Sequence, residues 1–415
     1  MFKPLDGMNT EAQVGRRCMV VFCSHGISDP LVSSLMLDYA LRMQVEALDR
    51  DILLFTEEPP GALVPSGLEE QLGAARIAWV PLRYDVKGAQ WTQKGRSLFT
   101  MLRHTRAFTK RYRHRWLVGF LSYGGGYAML FRMLGMGPVA SVCFEPHSRY
   151  MIELGIWRRR SAKALFMGWL ERYQMHRANV LVVPTTAVRD LVMNAGPRGT
   201  VHLQGITIDV DQARFDAAAR ETFRDRYKLH GTTVLAYVGK FGGIYYSVAD
   251  YMRFVATVCA VDHSLRFLVI SASDQLDAIR ADPRYAELAE RMVLHGPVPS
   301  KDLPALLSGA DLGVISVPPT PSQAYRTPVK TAHYWAAGLP LIIPEGVSDD
   351  WRIARDERVG IVVSGLLDLD LAAFQGALEA FRTENREEVR ARCLNVARRF
   401  RDSGAMVQLL NEVLR

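Results

Sequence analysis

Short β-branched and aliphatic runs alternate with longer amphipathic stretches along the 415-residue chain. The runs 18–23, 51–56, 76–81, 116–121, 139–144, 180–184 and 200–203 are mostly apolar, as strands of a parallel sheet buried on both faces must be. Between most of them lie stretches of helical period long enough to be crossover helices. The pattern then restarts with 233–238, 265–271, 291–295, 312–317, 340–344 and 360–363. Two such series predict an α/β chain with two doubly wound, Rossmann-like sheets. Strand pattern stops in 204–215, where the polar segment 206–212 intervenes. The expected division is therefore an N-terminal domain over 1–205, a second over 206–386, and closing helices over 387–415. Those helices are basic in Arg390, Arg392, Arg398, Arg399 and Arg401.

Composition adds limits. Hydrophobic residues make up 49% and charged residues 23%, the balance of a folded globular chain rather than a disordered one. The longest apolar runs, such as 180–183 and 339–343, are too short to cross a bilayer. Residues 1–15 carry charges and no apolar block, so no signal peptide is expected. Cys18, Cys23, Cys143, Cys259 and Cys393 form no CxxC pair and no metal-like cluster, which reads as reduced thiols in a cytosolic protein with no bound metal. The net charge of +8 is unevenly placed: residues 1–205 hold 26 Lys and Arg against 16 Asp and Glu, and 86–144 contain no acid at all. A one-sided basic half fits an anionic partner or a merely soluble basic surface.

Ligands of open α/β sheets bind beyond the carboxyl ends of the strands, here expected to face a cleft between the domains. In the second half, the first strand runs into Tyr237-Val-Gly-Lys-Phe-Gly-Gly243. Such a turn lets backbone N–H groups approach a phosphate, with Lys240 as countercharge; a tight turn with a surface lysine is the other reading. Further on comes Thr327-Pro-Val-Lys-Thr-Ala-His-Tyr-Trp-Ala-Ala-Gly-Leu-Pro340. Pro328 suits a helix start, and Gly338 with Pro340 a helix end. Lys330, His333 and Tyr334 then lie near a positive helix terminus suited to an anion, unless this is an ordinary amphipathic helix.

In the first half, Ser24-His-Gly-Ile-Ser-Asp-Pro30 follows the first strand, with Asp29 and Pro30 as N-cap and first helical residue. His25 and Gly26 are candidate ligand contacts, or parts of a satisfied loop. Ser122-Tyr-Gly-Gly-Gly-Tyr127 is read as a loop in which Tyr123 and Gly125 contact an acceptor, with helix–sheet clearance as the alternative. Phe144-Glu-Pro-His-Ser-Arg-Tyr150 gathers Glu, His and Arg at a strand end, and Glu145 fits a base or an acceptor clamp. Arg96, Arg103, Arg106, Lys110 and Arg113 fall on one helix face. Trp157-Arg-Arg-Arg160 precedes Leu165, Phe166, Trp169, Leu170 and Tyr173 at helical spacing. Basic residues beside aromatics suit an anionic bilayer surface, although the aromatics also fit a core.

From Gln204 to Val363 the chain resembles the family-4 glycosyltransferases and their relatives of GT-B fold, in four segments in the family's order. Gln204-Gly-Ile-Thr-Ile-Asp209 resembles the interdomain turn, and Val238-Gly-Lys-Phe241 the phosphate turn. His295-Gly-Pro-Val298, with Asp302-Leu-Pro-Ala-Leu-Leu307 and Ala310-Asp-Leu-Gly-Val314, resembles the stretch bordering the nucleotide base. Residues 327–340 resemble the family's donor-binding helix. The first half is similar only in architecture.

The resemblance implies that Lys240 and Lys330 bind a donor diphosphate, that Gly239 and Gly242 admit the backbone to it, and that the loop of His25 and Gly26 holds phosphate or acceptor. It implies a sugar-contacting role for His147. Two departures stand out: His333 and Tyr325 occupy positions where the family usually has glutamates, and Ile244-Tyr-Tyr-Ser247 lacks the second lysine of the phosphate turn.

The expectation is a cytoplasmic glycosyltransferase, retaining and metal-independent by resemblance, acting in cell-surface polysaccharide synthesis. It would move a sugar from a nucleotide-sugar donor to a glycan or lipid-linked acceptor, without a further cofactor. The inner face of the plasma membrane is a place for it to act. A GT-B epimerase would need more strand-end carboxylates than the sequence offers. A non-catalytic or nucleic-acid-binding protein lacks any recognisable nucleic-acid motif.

Overall fold

The structure is a computed structural model that describes residues 16–62, 64–84 and 90–415. The stretch 1–15, read for a signal peptide, lies outside the described residues, as do 86–89 at the start of the acid-free segment. The first sheet comprises β1 (Arg17–Phe22), β2 (Arg50–Glu58), β3 (Ile77–Arg83), β4 (His114–Phe120), β5 (Val139–Val142), β6 (Val180–Val183) and β7 (Thr200–Leu203). It is parallel, in the order β3-β2-β1-β4-β5-β6-β7. The second comprises β8 (Thr233–Val238), β9 (Leu265–Ile270), β10 (Met292–His295), β11 (Leu312–Val314), β12 (Leu341–Pro344) and β13 (Gly360–Val363), parallel in the order β10-β9-β8-β11-β12-β13. Chain order reverses between β1 and β4, and again between β8 and β11. These are the points where a crevice opens at the carboxyl ends.

The described residues up to Ile152, with Trp157–Gln204 and Gly404–Arg415, form one compact unit; Glu153–Ile156 and Gly205–Ser403 form the other. The closing segment 387–415 is thus divided. The helix Arg386–Arg401 belongs to the second unit, and nearly all of the helix Ser403–Val413 to the first.

The inner strands of both sheets are buried on both faces, which explains their continuous apolar runs, whereas the edge strands β7 and β10 are partly exposed. In the first, Phe22 stacks between Phe55 at 5.5 Å and Phe131 at 5.1 Å. Each such ring, fully buried, contributes roughly 1.5–3 kcal/mol. In the second, Tyr237, Tyr251, Phe254 and Phe267 are fully buried about β8 and β9.

One local expectation fails. Residues 122–127 are not a loop but the first turns of the helix Leu121–Met133, entered directly from β4 through Leu121 at φ 59°. The glycines let that helix lie on the sheet. A Cβ on Gly124 would sit 2.1 Å from the Phe22 carbonyl oxygen, and one on Gly125 2.1 Å from Gln174 Oε1. Gly125 is buried, and helix–sheet clearance is what it provides.

Candidate functional site

Beyond β8 the chain turns through Gly239, Gly242 and Gly243 at φ 134°, 78° and 62°, conformations that a Cβ disfavours. Hydrogen bonds pin the turn. Gly239 N donates to the Ile270 carbonyl at 3.0 Å, Ser271 Oγ donates to the Gly239 carbonyl at 2.7 Å, and Phe241 N donates to Gln275 Oε1 at 3.0 Å. Lys240 is exposed, and its carbonyl accepts from the Tyr237 hydroxyl.

The helix Val329–Ala336 starts after Pro328 and stops at Gly338, whose φ of 73° closes it. Tyr334 and Trp335 are fully buried and fix its place. The Tyr334 hydroxyl accepts from Val238 N at 2.9 Å, tying the helix to the end of β8. Lys330 is thereby aimed into the glycine turn: a Cβ on Gly239 would lie 2.9 Å from Nζ. The ammonium sits 4.4 Å from the Tyr237 ring centre and 4.6 Å from that of Tyr245. Nζ is buried with no hydrogen-bond partner, although part of the stem is exposed. Burial pushes its pKa down to about 7. One turn on, His333 Nδ1 is likewise buried and without a partner, and burial pushes this imidazole down to about 4. An orphaned ammonium and an orphaned ring nitrogen beside a glycine turn form a polar surface awaiting a ligand. Lys330, His333, Gly239 and Gly242 come together here. Tyr325 is half-buried on the turn Pro321–Tyr325.

In the first unit, Leu31 N donates to Asp29 Oδ1 at 2.9 Å, the cap that starts the following helix. Ser24 Oγ and His25 Nδ1 lie 3.3 Å apart. Glu58 accepts from Ile27 N at 2.8 Å, so closely under the loop that a Cβ on Gly26 would sit 2.8 Å from Glu58 Oε2. Beyond β5 the chain kinks at Cys143, φ 55°, and presents Glu145 and His147. The His147 ring is boxed by Tyr123 at 4.8 Å, Tyr150 at 4.4 Å and Trp157 at 5.4 Å, and the Tyr150 hydroxyl is hydrogen-bonded to its Nδ1.

Sequence reasoning missed Glu57, Tyr150 and Glu171 here. Glu57 accepts from the Tyr127 hydroxyl at 2.7 Å, and Tyr150 touches His147. Glu171 accepts from Ser148 N at 2.8 Å and Ser148 Oγ at 2.5 Å. Burial pushes Glu171 up to about 7 against the pull of those bonds. The expected scarcity of strand-end carboxylates is therefore corrected: Glu57 and Glu58 end β2, Glu145 follows β5, and Glu171 reaches Ser148 from the helix Ala162–Arg177. The Tyr123–Tyr127 spacing would have shown two phenols on one face had the stretch been read as a helix. Nothing local marked Glu171.

The stretch expected at the nucleotide base divides. His295–Val298 follow the carboxyl end of β10, whereas Asp311 sits at the amino end of β11 among Arg220, Arg224 and Arg386, a structural position. Among the described residues no group of three or more His, Cys, Asp or Glu could hold a metal ion, and no helix is long and apolar enough to cross a membrane.

Residues 268–413 match the family of glucosyltransferase 3-like C-terminal domains. No curated protein sequence matches the chain. Among solved structures, HepE from Anabaena in complex with UDP and glucose is similar with a TM-score of 0.67 at 10% identity, covering 96% of this chain and 99% of that one. Sucrose-phosphate synthase from Thermosynechococcus elongatus is similar with a TM-score of 0.69 at 13% identity, covering 96% and 98%. WaaG, a glycosyltransferase involved in lipopolysaccharide biosynthesis, gives 0.61 at 10% identity, covering 96% and 99%. With two parallel sheets that each reverse at a central crevice, the chain has the GT-B fold of these glycosyltransferases, and its residues 268–413 are similar to the glucosyltransferase 3-like C-terminal domains.

Proposed function

We propose that the chain transfers a sugar from a nucleoside-diphosphate sugar, held by its second unit, to a glycan or lipid-linked acceptor. The observation that carries this reading is the Lys330 ammonium, buried without a hydrogen-bond partner against Gly239. Lysine charge there would neutralise a diphosphate as it departs, the electrostatic part of the catalysis. Lys240 adds charge from the exposed side of the same turn. His333, neutral at physiological pH, offers the ribose a hydrogen-bonding nitrogen where the resembled family has a carboxylate. His147, steadied by Tyr150, and Glu145 position the transferred sugar and the acceptor hydroxyl; His25, Gly26 and Tyr123 line the acceptor side. Retention of configuration and independence from metal come with the resemblance, as does a role in cell-surface polysaccharide synthesis.

The acceptor is best met at an anionic membrane surface, on the cytoplasmic side. Supporting this, Arg96, Arg103, Arg106, Lys110 and Arg113 are all exposed, and so are Leu165, Phe166 and Trp169.

HepE was crystallised with UDP, which makes uridine the first base to test. The test is a thermal-shift screen of UDP, GDP, ADP, CDP and dTDP. A ligand at a hundred times its Kd stabilises the folded state by about 2.7 kcal/mol. One nucleotide raising the midpoint well above the others supports the reading, and none doing so overturns it.

A further inference from the structure

Where the resembled family carries a second lysine in its phosphate turn, this chain places Ile244-Tyr-Tyr-Ser247. The Tyr245 ring closes over the Lys330 ammonium from one side, and the Tyr237 ring lies on another. Tyrosine faces attract a cation only weakly and offer it no hydrogen bond to replace those it had in water, so a lysine seated between them gives up its proton more readily than one in solvent. The two rings are anchored differently. Tyr237 is fully buried in β8, and its hydroxyl donates to the Lys240 carbonyl. Tyr245 is half-buried in a segment that leaves Gly242 and Gly243, both at positive φ, and its N donates to the Gly242 carbonyl at 3.1 Å. One wall of the seat is fixed, and the other stands on a glycine hinge.

The titratable groups packed on the amine are the phenols of Tyr237 on β8 and Tyr245 in the turn; His333 and Tyr334 follow three and four residues on along its own helix. Burial raises the pKa of Tyr237 and Tyr334, and His333 is neutral at physiological pH, so the neighbours contribute no negative charge. Lys240, the other cation of the turn, is exposed.

We propose that Tyr245 is a donor-site residue: with Tyr237 it seats the Lys330 amine away from water in the unliganded protein, and it yields that amine to the diphosphate of an incoming nucleotide, so that binding draws one proton into the site. The inference rests on the donor reading above. The proton comes from solvent and forms an N–H bond on Nζ; the diphosphate supplies the anion that the site lacks. The basicity of Lys330, depressed by burial, agrees with this. The residue that sets the pH range of donor use is then Tyr245, through the dryness of the seat.

The experiment is titration calorimetry of the full chain with UDP, GDP, ADP, CDP and dTDP at pH 7.5, 8.25 and 9. At each pH it is run in two buffers of different ionisation enthalpy, which counts protons. In this range the terminal phosphate has already ionised, its second pKa being about 6. Wild type is expected to take up a proton on binding the best nucleotide, and its affinity to fall roughly tenfold per pH unit at full linkage. Lys330→Arg, charged throughout, is expected to bind with no uptake and little pH dependence. Tyr245→Phe keeps the ring and the uptake. Tyr245→Ser admits water, returns the amine toward its ordinary basicity, and reduces uptake at pH 8.25 by at least half. Binding without proton uptake in wild type, or uptake unchanged in Tyr245→Ser, overturns the proposal and leaves the donor reading standing. Failure of all five nucleotides to bind at any pH overturns both.

Discussion

The Arg224 guanidinium meets the Asp311 carboxylate at 2.5 Å, with both side chains almost wholly out of solvent. Arg220, one helical turn earlier, holds the other carboxylate oxygen at 2.7 Å, and Val234 N donates to the same group at 2.9 Å. The motif aspartate thus clamps the helix Ala217–Tyr227 to the amino ends of β8 and β11. Removing it would leave two buried guanidiniums facing each other. Asp311→Ala should destabilise the protein by about 3–5 kcal/mol, the cost of breaking a buried pair from one side. Urea unfolding measures this. A loss below 1 kcal/mol would show that water solvates the arginines.

Lys330→Met should behave oppositely. Lys330 titrates near 7 when folded, against 10.5 ordinarily, so between those values the unfolded chain binds more protons and stability rises with pH. The contribution is at most about 1.4 kcal/mol per pH unit. Lys330→Met should flatten that rise, be at least as stable as wild type at pH 7, and bind nucleoside diphosphate at least tenfold more weakly. Calorimetry showing unchanged affinity would remove Lys330 from the donor site.

The strand before Gly239 was legible because a parallel strand, buried on both faces, leaves a continuous apolar run, and positive-φ glycines stand where a turn must follow. The Lys330 helix was legible from its Pro start and Gly stop. The glycines of 122–127 were misread because composition alone does not separate a flexible loop from a helix lying on a carbonyl such as that of Phe22. Nor did the motif reveal that Asp311 lies at the opposite end of its strand from the ligand side. Glu171 was invisible for a further reason. Its partner is Ser148, 23 positions earlier, and no periodicity links two such positions.

His333 makes a second pair of expectations. Its Nδ1 is buried without a partner, and leaving such a group unmade costs about 1–3 kcal/mol. His333→Leu should therefore raise the melting temperature of the unliganded protein while weakening nucleotide binding. His333→Glu should retain or improve binding, since a carboxylate offers ribose two acceptors. Equal affinities in all three proteins would mean that this side chain does not touch the donor.

Glu171 carries a pH signature. Its folded pKa of about 7 lies above the ordinary 4.5, so in that window the folded state binds more protons and stability falls as pH rises. Glu171→Gln preserves the shape and can still accept from Ser148 N. It should remove this decline, giving a flatter midpoint-versus-pH curve between 5 and 7. A slope identical to wild type would place the decline elsewhere.

Membrane binding is the remaining expectation, and the structure alters its basis. Trp157 is buried, with the Lys163 ammonium 4.5 Å from its ring centre, and so leaves the list of lipid-facing aromatics. Phe166 and Trp169 remain, 52% and 41% exposed, with Leu165 beside them at 57%. Trp169 stacks on Tyr173 at 5.7 Å. On the helix Gln90–Thr109, Phe99 is 67% exposed along with Arg96, Arg103 and Arg106; Lys110 and Arg113 follow its end. Each basic residue near an anionic surface contributes about 1 kcal/mol, so these five give weak, reversible attachment. Screening within about 8 Å at physiological ionic strength means that it should fade steeply with added salt. The apolar side chains should add a component that salt does not remove. Co-sedimentation with anionic and neutral liposomes separates the two. Changing Arg103, Arg106, Lys110 and Arg113 to Gln should abolish the preference for anionic vesicles, and Phe166→Ser with Trp169→Ser should abolish what persists in high salt. If wild type shows no preference for anionic vesicles, the proposed membrane-linked acceptor is ruled out, and a soluble glycan takes its place.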